Sequence, residues 1–226
     1  DPNAPPEIQA DVLALRGQAT MGLGRLQEAR ALLDQALVKR PEHPSAILAL
    51  AILAAYEKRT DEASNLIERA LKAAPKEPEG WLLKGDLAKA RGDRAAALDA
   101  YRKVLEFNPE SLNAVLNAAA ILIESRDFDN ARKQLTNARA LAPQSLRVLY
   151  MLAYLNFSEN KMSAAREGVL AVIKAEPSYF PAVLLAGAVE LSLNAHEQAQ
   201  LHLSRVLERA PGHLAARKML VASLTK

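Results

Sequence analysis

Apolar residues recur along this chain at i, i+3, i+4 and i+7, in short segments separated by polar stretches. Residues 79–91 (EGWLLKGDLAKAR) and 94–107 (RAAALDAYRKVLEF) show the pattern most clearly. Each predicts an amphipathic helix with one face toward a core. The pair then repeats. Gly17, Ala51, Gly85, Ala119, Ala153 and Gly187 stand 34 residues apart, as do Ala29, Ala63, Ala97, Ala131, Ala165 and Ala199. Leu33, Ile67, Tyr101, Leu135, Val169 and Leu203 keep the same step. Two helices approach closely where side chains are this small, and the large residues fill the space left. The pattern predicts a series of helix hairpins.

The breaks between segments agree with this. Pro41, Pro75, Pro109, Pro143, Pro177 and Pro211 share the 34-residue step, and a proline cannot continue a helix. The turn inside each hairpin is predicted at Gly24, Lys58, Gly92, Arg126, Asn160 and Asn194. Four of these six are Gly or Asn, which tolerate the left-handed backbone that ends a helix. Pro44 and Pro78 fall where the first turn of the next helix accepts a proline. With the repeating proline as position 32, the repeats run 10–43, 44–77, 78–111, 112–145, 146–179 and 180–213. A C-terminal helix, 214–226, makes a half-repeat, and 1–9 reads as an N-terminal loop or the end of an earlier repeat.

A fixed 34-residue period with small residues at positions 8 and 20 resembles the tetratricopeptide repeat (TPR) family. The match covers nearly the whole chain. Departures are Trp at position 4 only in Trp81, and Arg16 and Lys84 at position 7. The resemblance implies an all-α fold, an α-solenoid of six helix hairpins plus a half-repeat coiled as a right-handed superhelix. It also implies a concave groove lined by the first helix of each repeat, and a non-catalytic protein-protein interaction scaffold that holds a peptide or partner helix there. The stretches 180–224 and 10–37 are further similar to the TPR-repeat lipoproteins of bacterial PEP-CTERM/exosortase systems. That resemblance implies a periplasmic, outer-membrane-anchored protein working beside exopolysaccharide export and protein sorting, with the cytoplasm as the alternative location.

Groove-side positions 2, 5, 9, 12 and 13 carry Asp11, Glu79, Asp86 and Glu124 against Lys89 and Arg147. That balance opposes binding to nucleic-acid phosphates. Tyr150, Tyr154 and Phe157 have i, i+4, i+7 spacing and share one helix face. Leu116, Asn117 and Ile123 on one side, and Leu184 on the other, are expected beside them, with Arg147 and Met151 on the same helix. These nine residues form the candidate groove-binding site, because an aromatic cluster in a concave wall suits an anchoring side chain. Sugar stacking on the tyrosines, by an exopolysaccharide, is an alternative with Asn113, Asn117 and Arg147 as polar partners. A clamp for a terminal carboxylate is not expected, since Leu82, Asp86 and Met151 occupy places that it needs filled by Lys, Asn and Arg.

Composition adds limits. The 29 basic and 26 acidic residues leave a net charge of +3, too near balance for a polybasic surface. With no cysteine, disulfides and thiolate metal sites are excluded. No apolar run reaches the length of a membrane-spanning helix. No catalytic, metal or cofactor motif is present, so neither enzyme activity nor a cofactor is expected. His43 and His213 fall at position 34, between repeats, and read as solvated loop residues. The charges at Glu28, Arg30, Glu62, Glu68 and Arg69 read as a solvated convex face. The chain opens on Asp1 without a Met and stops within a seventh repeat, so it reads as a piece of a longer protein whose signal sequence or lipid anchor lies outside it. Leu220, Val221 and Leu224 on the half-repeat suggest self-association through an open end, as in a self-assembling array.

Overall fold

The computed structural model describes residues 4–224, which contain thirteen α-helices and no strand. The chain divides into two units, Asp1–Ala114 and Val115–Lys226. In the first, α1 (Pro6–Gly22) pairs with α2 (Leu26–Lys39), α3 (Pro44–Tyr56) with α4 (Thr60–Ala73), and α5 (Pro78–Ala90) with α6 (Arg94–Phe107). The division falls inside α7 (Leu112–Glu124), which α8 (Phe128–Leu141) follows. In the second unit, α9 (Leu146–Ser158) pairs with α10 (Met162–Ala175), and α11 (Phe180–Ser192) with α12 (His196–Arg209). The last helix, α13 (Leu214–Leu224), packs on α12. From the second repeat onward, each first helix begins at position 1 of the 34-residue frame. The start differs: α1 begins at Pro6, so residues 6–9 are helical rather than loop, while residues 1–3 lie outside the described part. A proline at N1 lacks only an amide that the first turn leaves unbonded anyway.

Each hairpin closes by the same small-on-large contact. A Cβ built on Gly17 would lie 2.7 Å from Leu33 Cγ, one on Gly85 2.5 Å from Tyr101 Cε1, and one on Gly187 2.6 Å from Leu203 Cδ2. Leu33, Tyr101 and Leu203 are fully buried, as are the alanines at position 20. All six turn residues at position 15 adopt positive φ, including Lys58 and Arg126, both at 61°. These two keep a left-handed backbone without the glycine or asparagine that favours it.

Successive hairpins are held by polar contacts that recur at fixed positions. The carbonyl of the repeating proline is an acceptor: Arg69 donates to Pro41, Trp81 Nε1 to Pro75 at 2.8 Å, and Arg205 to Pro177 at 2.9 Å. An arginine at position 21 reaches the first helix of the next hairpin or the residue that ends it. Arg30 bonds Glu57 at 3.0 Å, Arg132 bonds Asn156 at 2.9 Å and also Glu159, and Arg166 bonds Glu190 at 2.8 Å. Part of the charge expected on a solvated convex face therefore links hairpins, because Arg30 and Glu57 lie on neighbouring hairpins and are both largely buried. The position-34 histidines are likewise not simple loop residues. His43 is buried, accepts the amide of Ala46 through Nδ1 at 3.3 Å, and pairs through Nε2 with Asp11 at 2.8 Å. His213 caps α13 by accepting the Ala216 amide at 3.2 Å. Position 34 is the N-cap, where a side-chain acceptor satisfies an amide of the first turn.

Candidate functional site

The candidate residues all lie in the second unit, and the structure divides them into three groups. Tyr150, Tyr154 and Phe157 project from one face of α9 and are half-buried against a core of Ala153, Val169, Val172, Ala182, Leu185 and Val189. The Tyr150 and Tyr154 rings are parallel within 8°, with centroids 6.4 Å apart. This follows from their spacing, since i and i+4 side chains lie one above the other on a helix. Burial raises the Tyr150 hydroxyl above its ordinary pKa, and the neighbouring hydroxyls of Tyr154 and Tyr179 add to the effect.

Tyr179 is the residue that sequence reasoning missed. It lies at position 34, before α11, and its ring tilts 59° onto Tyr150 at 5.7 Å. Tyr150 is thus held between two other tyrosines. The available signal was the crowding of five of the ten aromatic residues into 150–180. Helical spacing could not place a loop residue in the cluster.

The second group is not surface. Leu116 and Ile123 on α7 are 5% and 3% exposed, so they belong to the core and offer no contact area to a ligand. This corrects their assignment as groove-binding residues; the small neighbours Ala119 and Ala120 let this part of α7 pack tightly. Leu184 is half-buried against the core of Val183, Leu203 and Val206. The third group is polar or peripheral: Asn117 and Met151 are half-buried, and Arg147 is exposed.

The chemistry that these rings offer is contact. The rings present apolar faces and hydroxyl groups, a combination that anchors a partner while keeping one end wet. Among the described residues, no group of three His, Cys, Asp or Glu side chains could hold a metal ion. No described helix is long and apolar enough to cross a membrane.

Comparison with known proteins agrees with the repeat geometry. The profile of the cytochrome c-type biogenesis protein H TPR domain matches residues 67–176, and the tetratricopeptide repeat profile matches 21–87. The chain is a tetratricopeptide-repeat protein. Among curated proteins it is similar to the human protein O-mannosyl-transferase TMTC3, 26% identical over 66% of this chain. It spans only 16% of that relative's length. Among solved structures it is similar to PilW, a widely conserved type IV pilus biogenesis factor. The TM-score is 0.81 at 20% identity, covering 93% of this chain and 98% of that one. It is also similar to YrrB, a TPR protein with an unusual peptide-binding site, with a TM-score of 0.62 at 17% identity over 82% and 96% of the two chains.

Proposed function

We propose that this protein is a non-catalytic scaffold that holds a peptide or partner helix, with the Tyr150–Tyr154–Tyr179 cluster as its anchoring contact. The observation that carries the reading is three tyrosine rings, gathered from a helix and a loop, that remain only half-buried. Large amphipathic rings of this kind dominate protein-binding hot spots. The peptide-binding site named for YrrB supports the same use of the fold. The setting is a bacterial cell envelope, in the periplasm and anchored to the outer membrane in the full-length protein. The biogenesis roles named for the matched profile and for PilW support a part in assembling other proteins, and the envelope setting rests on the resemblance of 180–224 and 10–37.

The test is capture from the envelope fraction by wild type and by Tyr150→Ala/Tyr154→Ala, with circular dichroism to establish that the variant folds. A protein retained only by wild type supports the reading. Equal retention by both overturns the tyrosine contact. Retention of polysaccharide without protein would replace the scaffold with a carbohydrate-handling module. A second reading, self-association, draws on α13, where Leu214, Val221 and Leu224 are each more than 60% exposed. Sedimentation velocity of wild type against Val221→Lys/Leu224→Lys tests it, a shift toward monomer being the supporting result.

A further inference from the structure

Two of the open hollows at the hairpin seams of the first unit share Ile52. One, of about 430 Å³, lies between α1 and α3 and is lined by Gln18, Met21, Leu26, Ile52, Leu53 and Tyr56. The other, of about 200 Å³, lies between the α3–α4 hairpin and α5, and Ile52 borders it too. The repeat frame shows what such a hollow accepts. The walls of the smaller one include Ala51, Ile67, Leu83 and Leu87, at positions 8, 24, 6 and 10. In the second unit the same positions are Ala153, Val169, Leu185 and Val189, and there Tyr154 and Phe157 pack against them. Positions 9 and 12, which supply those two rings, carry Ile52 and Ala55 in the first unit. The second unit fills this seam with its own aromatic side chains, and the first leaves it open. A cavity of about 150 Å³ already accommodates one benzene ring, so a hollow of this size takes a phenyl group.

Charge narrows the occupant further. Asp86 lies on the rim of the smaller hollow, exposed, with Tyr101 donating to its carboxylate at 2.7 Å. The inner-face positions of this unit hold Asp11, Glu79 and Asp86 against Lys89; Asp11 is already paired with His43, and of these carboxylates Asp86 is the one that borders a hollow. A cationic side chain seated beside Asp86 would complement this carboxylate.

The geometry points to a docking site on the first unit for a partner peptide bearing two bulky apolar side chains next to a lysine or arginine, the apolar groups seated in the hollows on either side of Ile52. The site rests on the scaffold reading and is separate from the tyrosine cluster, so the two can fail independently.

The test uses fluorescence polarisation on the whole chain. The probes are labelled short peptides carrying two Phe at two-, three- or four-residue spacing on a Lys/Ser background, with Phe→Ala and Lys→Glu counterparts. The decisive variant is Ile52→Tyr/Ala55→Phe, which copies positions 9 and 12 of the α9 hairpin and so keeps a combination that already packs in this frame. At least one Phe/Lys peptide is expected to bind, and its counterparts to bind much more weakly. The double variant weakens binding by about tenfold or more. Asp86→Asn removes the preference for Lys over Glu and leaves melting behaviour near that of wild type. Tyr154→Ala leaves binding unchanged, which separates this site from the tyrosine cluster. Binding by no member of the set, equal binding of the Lys and Glu versions, or insensitivity to the double variant would each overturn the proposal. A wild-type dimer that the double variant dissolves would assign the hollows to a second copy of the chain and overturn it as well.

Discussion

Gly85 shows how tightly a single position is specified. The nearest atoms to its missing Cβ belong to the Tyr101 ring, which is fully buried and held by its hydrogen bond to Asp86. The ring therefore has little freedom to withdraw. Gly85→Ala is expected to cost about 1–3 kcal/mol in overpacking, offset by up to about 1 kcal/mol of helix propensity. The repeats with alanine at position 8 carry Ile67, Leu135 or Val169 opposite it. Gly85→Ala/Tyr101→Leu should therefore recover most of the loss in a urea melt, and failure to recover would place the strain elsewhere. Lys58 and Arg126 give the opposite case. Both hold φ of 61°, which costs a residue with a Cβ about 1–2 kcal/mol. Lys58→Gly should raise stability by about 0.5–1 kcal/mol once the greater freedom of the unfolded glycine is counted. A lower melting temperature would contradict it.

At the scale of the helix, the link from α10 to α11 is the sharpest. Glu190 is almost fully buried, Arg166 holds one of its carboxylate oxygens at 2.8 Å, and the other has no hydrogen-bonding partner. Removing the arginine leaves an uncompensated buried charge. Arg166→Ala should cost about 3 kcal/mol, while Arg166→Ala/Glu190→Leu should be far milder, since Leu122 occupies the same position and is buried. Urea midpoints at unchanged slope would measure both. Glu159 is the counterpart held by two cations, Arg132 and Lys161. Burial pushes its carboxyl upward, but hydrogen bonds from Lys161 and Arg132 prevail and hold it below its ordinary value. Helices, turns and hairpin contacts were all readable from the 34-residue period, because each depends on spacing within one repeat. The arginine links, the His43–Asp11 pair and the Tyr150–Tyr179 contact were not. They join residues far apart in the chain, 24 positions for Arg166–Glu190 and 32 for His43–Asp11, and only the packed backbone brings them together. The seam hollows were equally hidden, since they depend on small side chains leaving space rather than on any motif.

Across a whole repeat array, stability is a sum of hairpin and neighbour contributions, so a local titration can loosen one end while the rest stays folded. His202 provides such a site. It is 8% exposed on α12, and its Nδ1 has no partner. Burial lowers its pKa below the ordinary imidazole value; Glu190 acts against this and Arg205 with it. The folded state therefore prefers the neutral ring, and the unfolded chain binds the proton more readily. The stability tied to neutral His202 is complete above the ordinary value of about 6.5 and is lost as the pH falls below it toward the lowered folded value. The loss should be confined to α11–α13. Hydrogen exchange at one mildly acidic pH compares wild type with His202→Leu, which matches Leu32 and Leu66 at the same position of earlier repeats. The variant should protect α11–α13 more strongly than wild type in acid and about equally near neutral pH, with α1–α4 unchanged at both. Equal protection in acid would show that the buried ring carries no proton-linked cost, and a uniform change along the chain would show that the hairpins unfold as one.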